Sequence, residues 1–213
     1  MELKERILHK AEQLFFRFGV KSVTMDDIAR ELGVSKKTIY QHFPDKDEIV
    51  YQTVLLEMEK DQCEFETLRA GNYNAIERIM YGTEMMRLQF ADMNPSLIYD
   101  IQKYHPRAWQ VFQDHKHEFI LNGIREELRQ GITEGLFRAD LDVEVLARLR
   151  LEQFELGFNH QVYPAGQFTL VQVQLAFADH FIRGIVTEKG LALYDAYQRT
   201  QQTNSSFPKP LYS

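Results

Sequence analysis

The feature that most limits what this chain can fold into is the turn Gly33-Val34-Ser35, set between two short helix-forming stretches that each carry their own start signal. Thr24 opens the first stretch, and Asp27 stands three residues on. That is the spacing at which a side chain at each position meets an orphan backbone donor of the helix start. Ile28, Ala29 and Leu32 then fall on one helical face. Gly33 follows, where a helix ends most easily in a left-handed residue that only glycine adopts without strain. Ser35 caps a second helix predicted over Lys36 to Phe43, with Ile39 facing inward and Val34 packing under the turn.

Two short helices joined by such a turn make a helix-turn-helix. The small Ala29 lets them cross closely, and Ile28, Leu32, Val34 and Ile39 fill the wedge. Lys36, Lys37, Thr38, Tyr40 and Gln41 are left pointing outward, all of them groups that meet bases or phosphates in a major groove. Lys46 sits in the first turn of the next helix, which Asp45 caps with Glu48 three residues on. A lysine there opposes the positive helix end, which makes more sense beside a phosphate.

The run Thr38-Ile39-Tyr40-Gln41-His42-Phe43, with Lys46 after it, resembles the DNA-binding segment of the TetR family of bacterial transcriptional regulators. Ile28-Ala29-x-x-Leu32-Gly33-Val34-Ser35 matches as well, as does Phe15-x-x-Phe18-Gly19 at the end of the first helix. The likeness covers about the first fifty residues; beyond them only helical layout and general length agree. Pro44-Asp45, after Phe43, is a turn at which the family varies. By position, the resemblance implies that Lys36, Lys37 and Tyr40 meet bases, and that Thr24, Thr38, His42 and Lys46 hold phosphates, contacts that position without specifying.

Charge is divided unevenly. Residues 1–50 hold nine basic and nine acidic side chains, so the net charge of -6 lies wholly beyond them. A generic basic arm is missing, and a focused basic edge with weak non-specific binding is expected. No run of eighteen apolar residues is present, so no membrane span is expected, and MELKERILHK reads as the start of an amphipathic helix rather than a signal peptide. The single Cys63, read as a half-buried helical residue, suits a reducing cytosol, and a cytoplasmic location is expected.

The rest of the chain reads as helix throughout. The first helix is expected over Leu3 to Phe18, with Ile7, Ala11, Leu14, Phe15 and Phe18 as its core stripe. A long fourth helix ends before Gly71-Asn72, then helices over Tyr73 to Met93, from Asn94-Pro95 to His105-Pro106, Pro106 to Glu134, Asp142 to Tyr163 and Phe168 to Glu188. The fold class is therefore all-α: an N-terminal helix-turn-helix three-helix unit plus a larger helical ligand-binding and dimerisation domain. The domains are residues 1–47 for DNA, 48–197 for effector and dimerisation, and a disordered tail at 198–213, where Asn-Ser-Ser and Pro-Lys-Pro leave little to bury. Between Leu170 and Val186 apolar residues spread around most of the helical wheel, which calls for cover from a partner subunit. The resemblance implies the same: a homodimer joined through the last two long helices.

The larger domain offers Tyr81, Met85, Met86, Phe90, Ile101, Tyr104, Trp109, Phe112, Phe154 and Phe158 as a candidate lining for a small-molecule effector, since methionine adapts to irregular gaps. Such stripes are more often simply core. His115 and His117 are two apart on a helix and cannot chelate together. With no nucleophile motif, phosphate loop, paired cysteines or metal set, no catalytic residue, metal or cofactor is expected. The function expected is that of a homodimeric, ligand-released repressor binding a pseudo-palindromic operator on double-stranded DNA. The alternative is a TetR-shaped adaptor or architectural DNA-binding protein without ligand control.

Overall fold

The computed structural model describes residues 2–164 and 166–203. They form eleven α-helices: α1 (Leu3–Phe18), α2 (Met25–Leu32), α3 (Lys36–Tyr40), α4 (Lys46–Ala70), α5 (Ala75–Ala91), α6 (Leu97–Tyr104), α7 (Pro106–His115), α8 (Leu121–Thr133), α9 (Val143–Leu156), α10 (Leu170–Ile185) and α11 (Glu188–Thr203). A π-helical segment, Lys116–Ile120, joins α7 to α8, so the expected helix from Pro106 to Glu134 is continuous but widened in its middle. Among the described residues there is no strand, only an isolated bridge between Phe137 and Val186. The fold is all-α.

The chain packs as two units, Met1–Glu64 with Asp92–His117, and Phe65–Ala91 with Glu118–Ser213. These packing units run differently from the division at residue 47, which assigns a task to the first three helices. In the first unit α1 packs on α2 and α6, α2 on α3, and α6 on α7. Ile7, Ala11, Phe15, Ile28, Ala29, Ile39 and Phe43 are buried, as the wedge requires. Phe18 departs from the expected stripe: it is the last helical residue, with no further turn to cover it, and it lies exposed under the Arg17 guanidinium. Gly19 has φ +78°, and a Cβ there would come within 2.6 Å of the Ser96 hydroxyl, so both conformation and closeness demand glycine. Cys63 is exposed rather than half-buried.

The second unit is built on α5, α8, α9, α10 and α11 around Ile76, Met80, Leu128, Phe137, Leu151, Phe181, Ile182, Ile185 and Tyr194. Two boundaries moved for local reasons. α9 stops at Leu156, seven residues before Tyr163, because Asn159 gathers the next amides: its carbonyl accepts from Val162 and Tyr163, and its side chain from Gln161. Pro164 also disfavours helix at Tyr163. The expected helix to Glu188 ends at Ile185, and a separate helix, α11, follows.

That last helix corrects one expectation and weakens the argument for another. Gln198 to Thr203, expected in a disordered tail, continue α11, whose Tyr194 is anchored in the core and donates to Asp179 of α10 at 2.9 Å. Residues 204–213 of the expected tail lie outside the described residues. α11 also gives α10 a neighbour within its own unit, through Tyr194 on Asp179 and through Arg183, which pairs with Asp195. Val173, Ala178, Phe181, Ile182 and Ile185 of α10 are buried within one chain, while its outer side carries Gln172, Ala176, His180 and Arg183. An apolar spread around the wheel therefore does not by itself demand a partner subunit.

Candidate nucleic-acid interface

The reading head is set by its caps. Thr24 accepts from the Asp27 amide at 3.2 Å, and the Asp27 carboxylate accepts from the Thr24 amide at 2.9 Å and hydroxyl at 2.7 Å. Those hydrogen bonds favour the charged carboxylate and hold Asp27 below its usual range. Gly33 takes the left-handed conformation at φ +67° and ψ 30°, as the turn requires. Ser35 caps α3 by accepting from the Thr38 amide at 3.1 Å. α3 itself is shorter than expected, ending at Tyr40. Gln41, His42 and Phe43 continue as turns closed on Lys37 and Ile39. Pro44 disfavours the helical conformation at the residue before it, which accounts for the early end.

The seven residues expected at DNA all lie in the first unit, six of them on or beside α2 and α3. Lys36, Lys37, Tyr40, His42 and Thr24 are exposed, and Tyr40 is 46% accessible despite its ring. Thr38 is half-buried, with its hydroxyl 2.8 Å from that of Ser35. The Lys36 ammonium donates to Asp26 at 2.9 Å, a hydrogen bond that raises its pKa. Lys37 has no ion-pair partner among the described residues. The partner of Lys36 was missed from sequence; Asp26 and Lys36 are ten residues apart and meet only because α2 and α3 cross.

Lys46 is placed differently from the others. Its ammonium turns inward and donates to the carbonyls of Val20 at 2.6 Å and Val23 at 2.7 Å, in the loop between α1 and α2. Burial lowers its pKa, with Asp100 and Asp27 opposing that shift. The same loop is held from α6, where the Lys21 amide donates to Asp100 at 2.9 Å; the Asn94 amide just before α6 donates to the Phe16 carbonyl in the last turn of α1 at 2.7 Å. Asp100 is 5% exposed and was not singled out from sequence, since one aspartate in a helix gives no local signal. Lys46 keeps one ammonium hydrogen beyond these two bonds.

The candidate effector lining is divided between the units. In the second unit Phe90, Phe154 and Phe158 form a mutual cluster with ring centres 5.3 to 5.7 Å apart, and Tyr81, Met85 and Met86 are half-buried. In the first unit Ile101 is buried and Trp109 stacks on Phe112 at 5.1 Å. Tyr104 does not line an interior: it is exposed, and the ammonium groups of Lys21 and Lys103 face its ring. Among the described residues no helix is long and apolar enough to cross a membrane.

Comparison with known proteins agrees with this geometry. Residues 7–52 match the family model of bacterial regulatory proteins of the tetR family. An HTH-type transcriptional regulator of Staphylococcus aureus strain bovine RF122 / ET3-1 is 28% identical over 102 residues, 48% of this chain and 55% of that one. Its counterpart in strain USA300 is 30% identical over 101 residues, 47% of this chain and 54% of that one. These matches thus span about half the length of the relatives. A TetR-family transcriptional regulator from Agrobacterium tumefaciens superposes with TM-score 0.71 at 17% identity, covering 86% of this chain and 97% of that one. A transcriptional regulator from Saccharomonospora viridis, solved with choline, gives TM-score 0.66 at 23% identity over 87% and 98%. Those two likenesses speak for the fold. With its capped helix pair and its left-handed Gly33, the segment over residues 7–52 matches the tetR family of bacterial regulatory proteins.

Proposed function

We propose that this protein is a dimeric, sequence-specific DNA-binding repressor whose hold on its operator is released by a small molecule. The observation that carries the reading is the exposed set Lys37, Tyr40 and His42 on and just after α3, backed by a buried Ile39 and Phe43 that fix its orientation. Lys36, Lys37 and Tyr40 face bases; Thr24, Thr38, His42 and the remaining ammonium hydrogen of Lys46 face phosphates. Two such heads enter successive major grooves about 34–36 Å apart on a pseudo-palindromic site.

Support for a homodimer comes from α9. Val145, Leu149 and Leu156 stand 59%, 46% and 38% exposed on one side of that helix. Large apolar residues grouped on one helix face mark an interaction surface. The expected interface is α9 with the outer side of α10, whose small Ala176 and Gly184 admit close approach.

Release by an effector requires a link to the head. The loop between α1 and α2 supplies it, held by Lys46 of α4 and by Asp100 of α6. A ligand that shifts either helix alters the head, with a coupling on the order of 1–3 kcal/mol. Analytical ultracentrifugation of the protein with DNA from beside its own gene tests the reading. Two chains per site, and a monomer when Leu149 becomes Glu, support it. A monomer that binds the site equally well overturns the dimeric mechanism.

A further inference from the structure

The face of α9 turned towards α10 carries a polar set that DNA reading and dimerisation leave unused. The two helices run antiparallel in a definite register. Arg150 lies over the Phe181 ring, 5.7 Å from its centre, and seven residues on Gly157 sits against the Gln174 amide. Arg150, Gln153, Phe154 and Gly157 therefore share one face at helical spacing. Three polar atoms here are sealed from solvent and have no hydrogen-bond partner among the described residues: Nη1 of Arg150, Oε1 of Gln153 and Oε1 of Gln174. Gln174 is 0% exposed, and its Nε2 donates to the Phe154 carbonyl at 2.7 Å. Only the nitrogen can make that bond, so the oxygen is the atom left over.

Arg150, half-buried, contrasts with the fully buried Arg78 of the same unit. Arg78, 5% exposed, is paired with both Glu127 and Glu134. Among the described residues no acidic group acts on Arg150, and burial lowers its pKa. A guanidinium with one nitrogen sealed from solvent and no counter-charge is unfavourable, and a structural role would leave it paired like Arg78.

We propose that this face binds a largely apolar carboxylate, with Arg150 as its counter-charge and Phe154, within its cluster with Phe90 and Phe158, against its body. Gln153 and Gln174 accept hydrogen bonds from a hydroxyl or amide group of the same molecule. Seven helical residues separate the levels of Arg150 and Gln174, so carboxylate and donor stand about 10 Å apart. The proposal deepens the effector reading above and rests on it for its regulatory consequence. A quaternary ammonium, such as the choline held by the Saccharomonospora viridis regulator, is excluded by the sign of the charge.

The test uses the full chain as wild type, Arg150→Met and Arg150→Lys. Melting and calorimetry follow ω-hydroxydecanoate, decanol and decyltrimethylammonium. Without ligand, Arg150→Met melts higher than wild type, because it removes an uncompensated charge. Wild type binds ω-hydroxydecanoate at least about tenfold more tightly than decanol; Arg150→Lys keeps part of that preference, and Arg150→Met loses it. A lower melting temperature for Arg150→Met shows a structural arginine and overturns the proposal. So does a wild type that binds acid and alcohol alike or neither. DNA anisotropy in parallel separates the two readings: Arg150-dependent acid binding that leaves DNA binding unchanged keeps the site and removes effector control. Sequence-specific DNA binding without Arg150-dependent acid binding overturns the site alone.

Discussion

The ammonium of Lys46 donates to the carbonyl of Val20 at 2.6 Å, which fastens the first turn of α4 to the loop joining α1 and α2. With the second bond to Val23, one side chain fixes the angle at which the reading head leaves the long helix. Lys46→Met leaves both carbonyls without this donor. The expected loss is about 1–3 kcal/mol of unfolding free energy by urea denaturation. DNA affinity also falls, with the salt slope reduced by about one unit. An unchanged stability would show that the carbonyls find other partners and that the lysine serves phosphate alone.

Asp26 and Lys36 form an ion pair across the crossing of α2 and α3, with both side chains largely open to solvent. Asp26→Asn removes a negative charge beside the proposed DNA contacts and releases the lysine for DNA. An exposed pair contributes little to stability, so binding should tighten by up to about fivefold. Stability moves the other way, slightly, because an acidic residue is lost from the first turn of α2. Weaker DNA binding in Asp26→Asn would mean that the pair presents Lys36 rather than withholding it.

Glu12 on α1 faces Glu57 and Lys60 on α4, and burial, reinforced by Glu57 and opposed by Lys60, raises its pKa to about 7. The folded chain thus keeps a proton on Glu12 up to that pH, whereas the unfolded chain loses it near 4.5. Between those values the native state binds more protons, so stability declines as pH rises from about 4.5 to 7 and levels off above. Glu12→Gln should remove the decline. Its gain at pH 8 over pH 5 is on the order of 1–2 kcal/mol after allowance for solvent around a part-exposed side chain. Parallel pH profiles for the two proteins would contradict this.

Arg78 is buried between Glu127 and Glu134 and also donates to the Tyr73 carbonyl, tying the start of α5 to α8. Arg78→Ala leaves Glu127 buried without its cation and should cost about 3–5 kcal/mol. Arg78→Met with Glu127→Leu should recover most of it, since a buried pair replaced by apolar residues is often neutral. A double variant as unstable as the single one would place the cost in the Tyr73 contact instead.

How far the chain was legible from its sequence followed the range of the interactions involved. Helix starts at Thr24, Ser35, Asp45 and Asp142 could be read because a cap and its amide lie within three residues. The end of α3 could have been read too, from Pro44 acting on Phe43. α11 was missed because it buries Tyr194 behind a largely polar sequence, with Leu191, Leu193 and Tyr197 the other residues it packs against the core. The inward turn of Lys46 leaves no sequence trace, since its partners are backbone carbonyls more than twenty residues away. The pairing of Lys36 with Asp26 and the solitude of Arg150 likewise depend on how helices cross. The outward face of α3 was legible because local helical periodicity and a single buried Ile39 determine it.

The most direct test of the account is fluorescence anisotropy of the wild-type protein and Tyr40→Ala with DNA from beside its own gene, against a scrambled sequence, over a range of salt. Tyr40 is 46% exposed, so the substitution should leave folding and assembly intact. The account predicts tight wild-type binding that the scrambled DNA loses, and a Tyr40→Ala protein with unchanged melting temperature that binds both sequences equally and weakly. Equal, steeply salt-dependent binding of both sequences by the wild type would contradict sequence-specific regulation and favour an architectural or adaptor role.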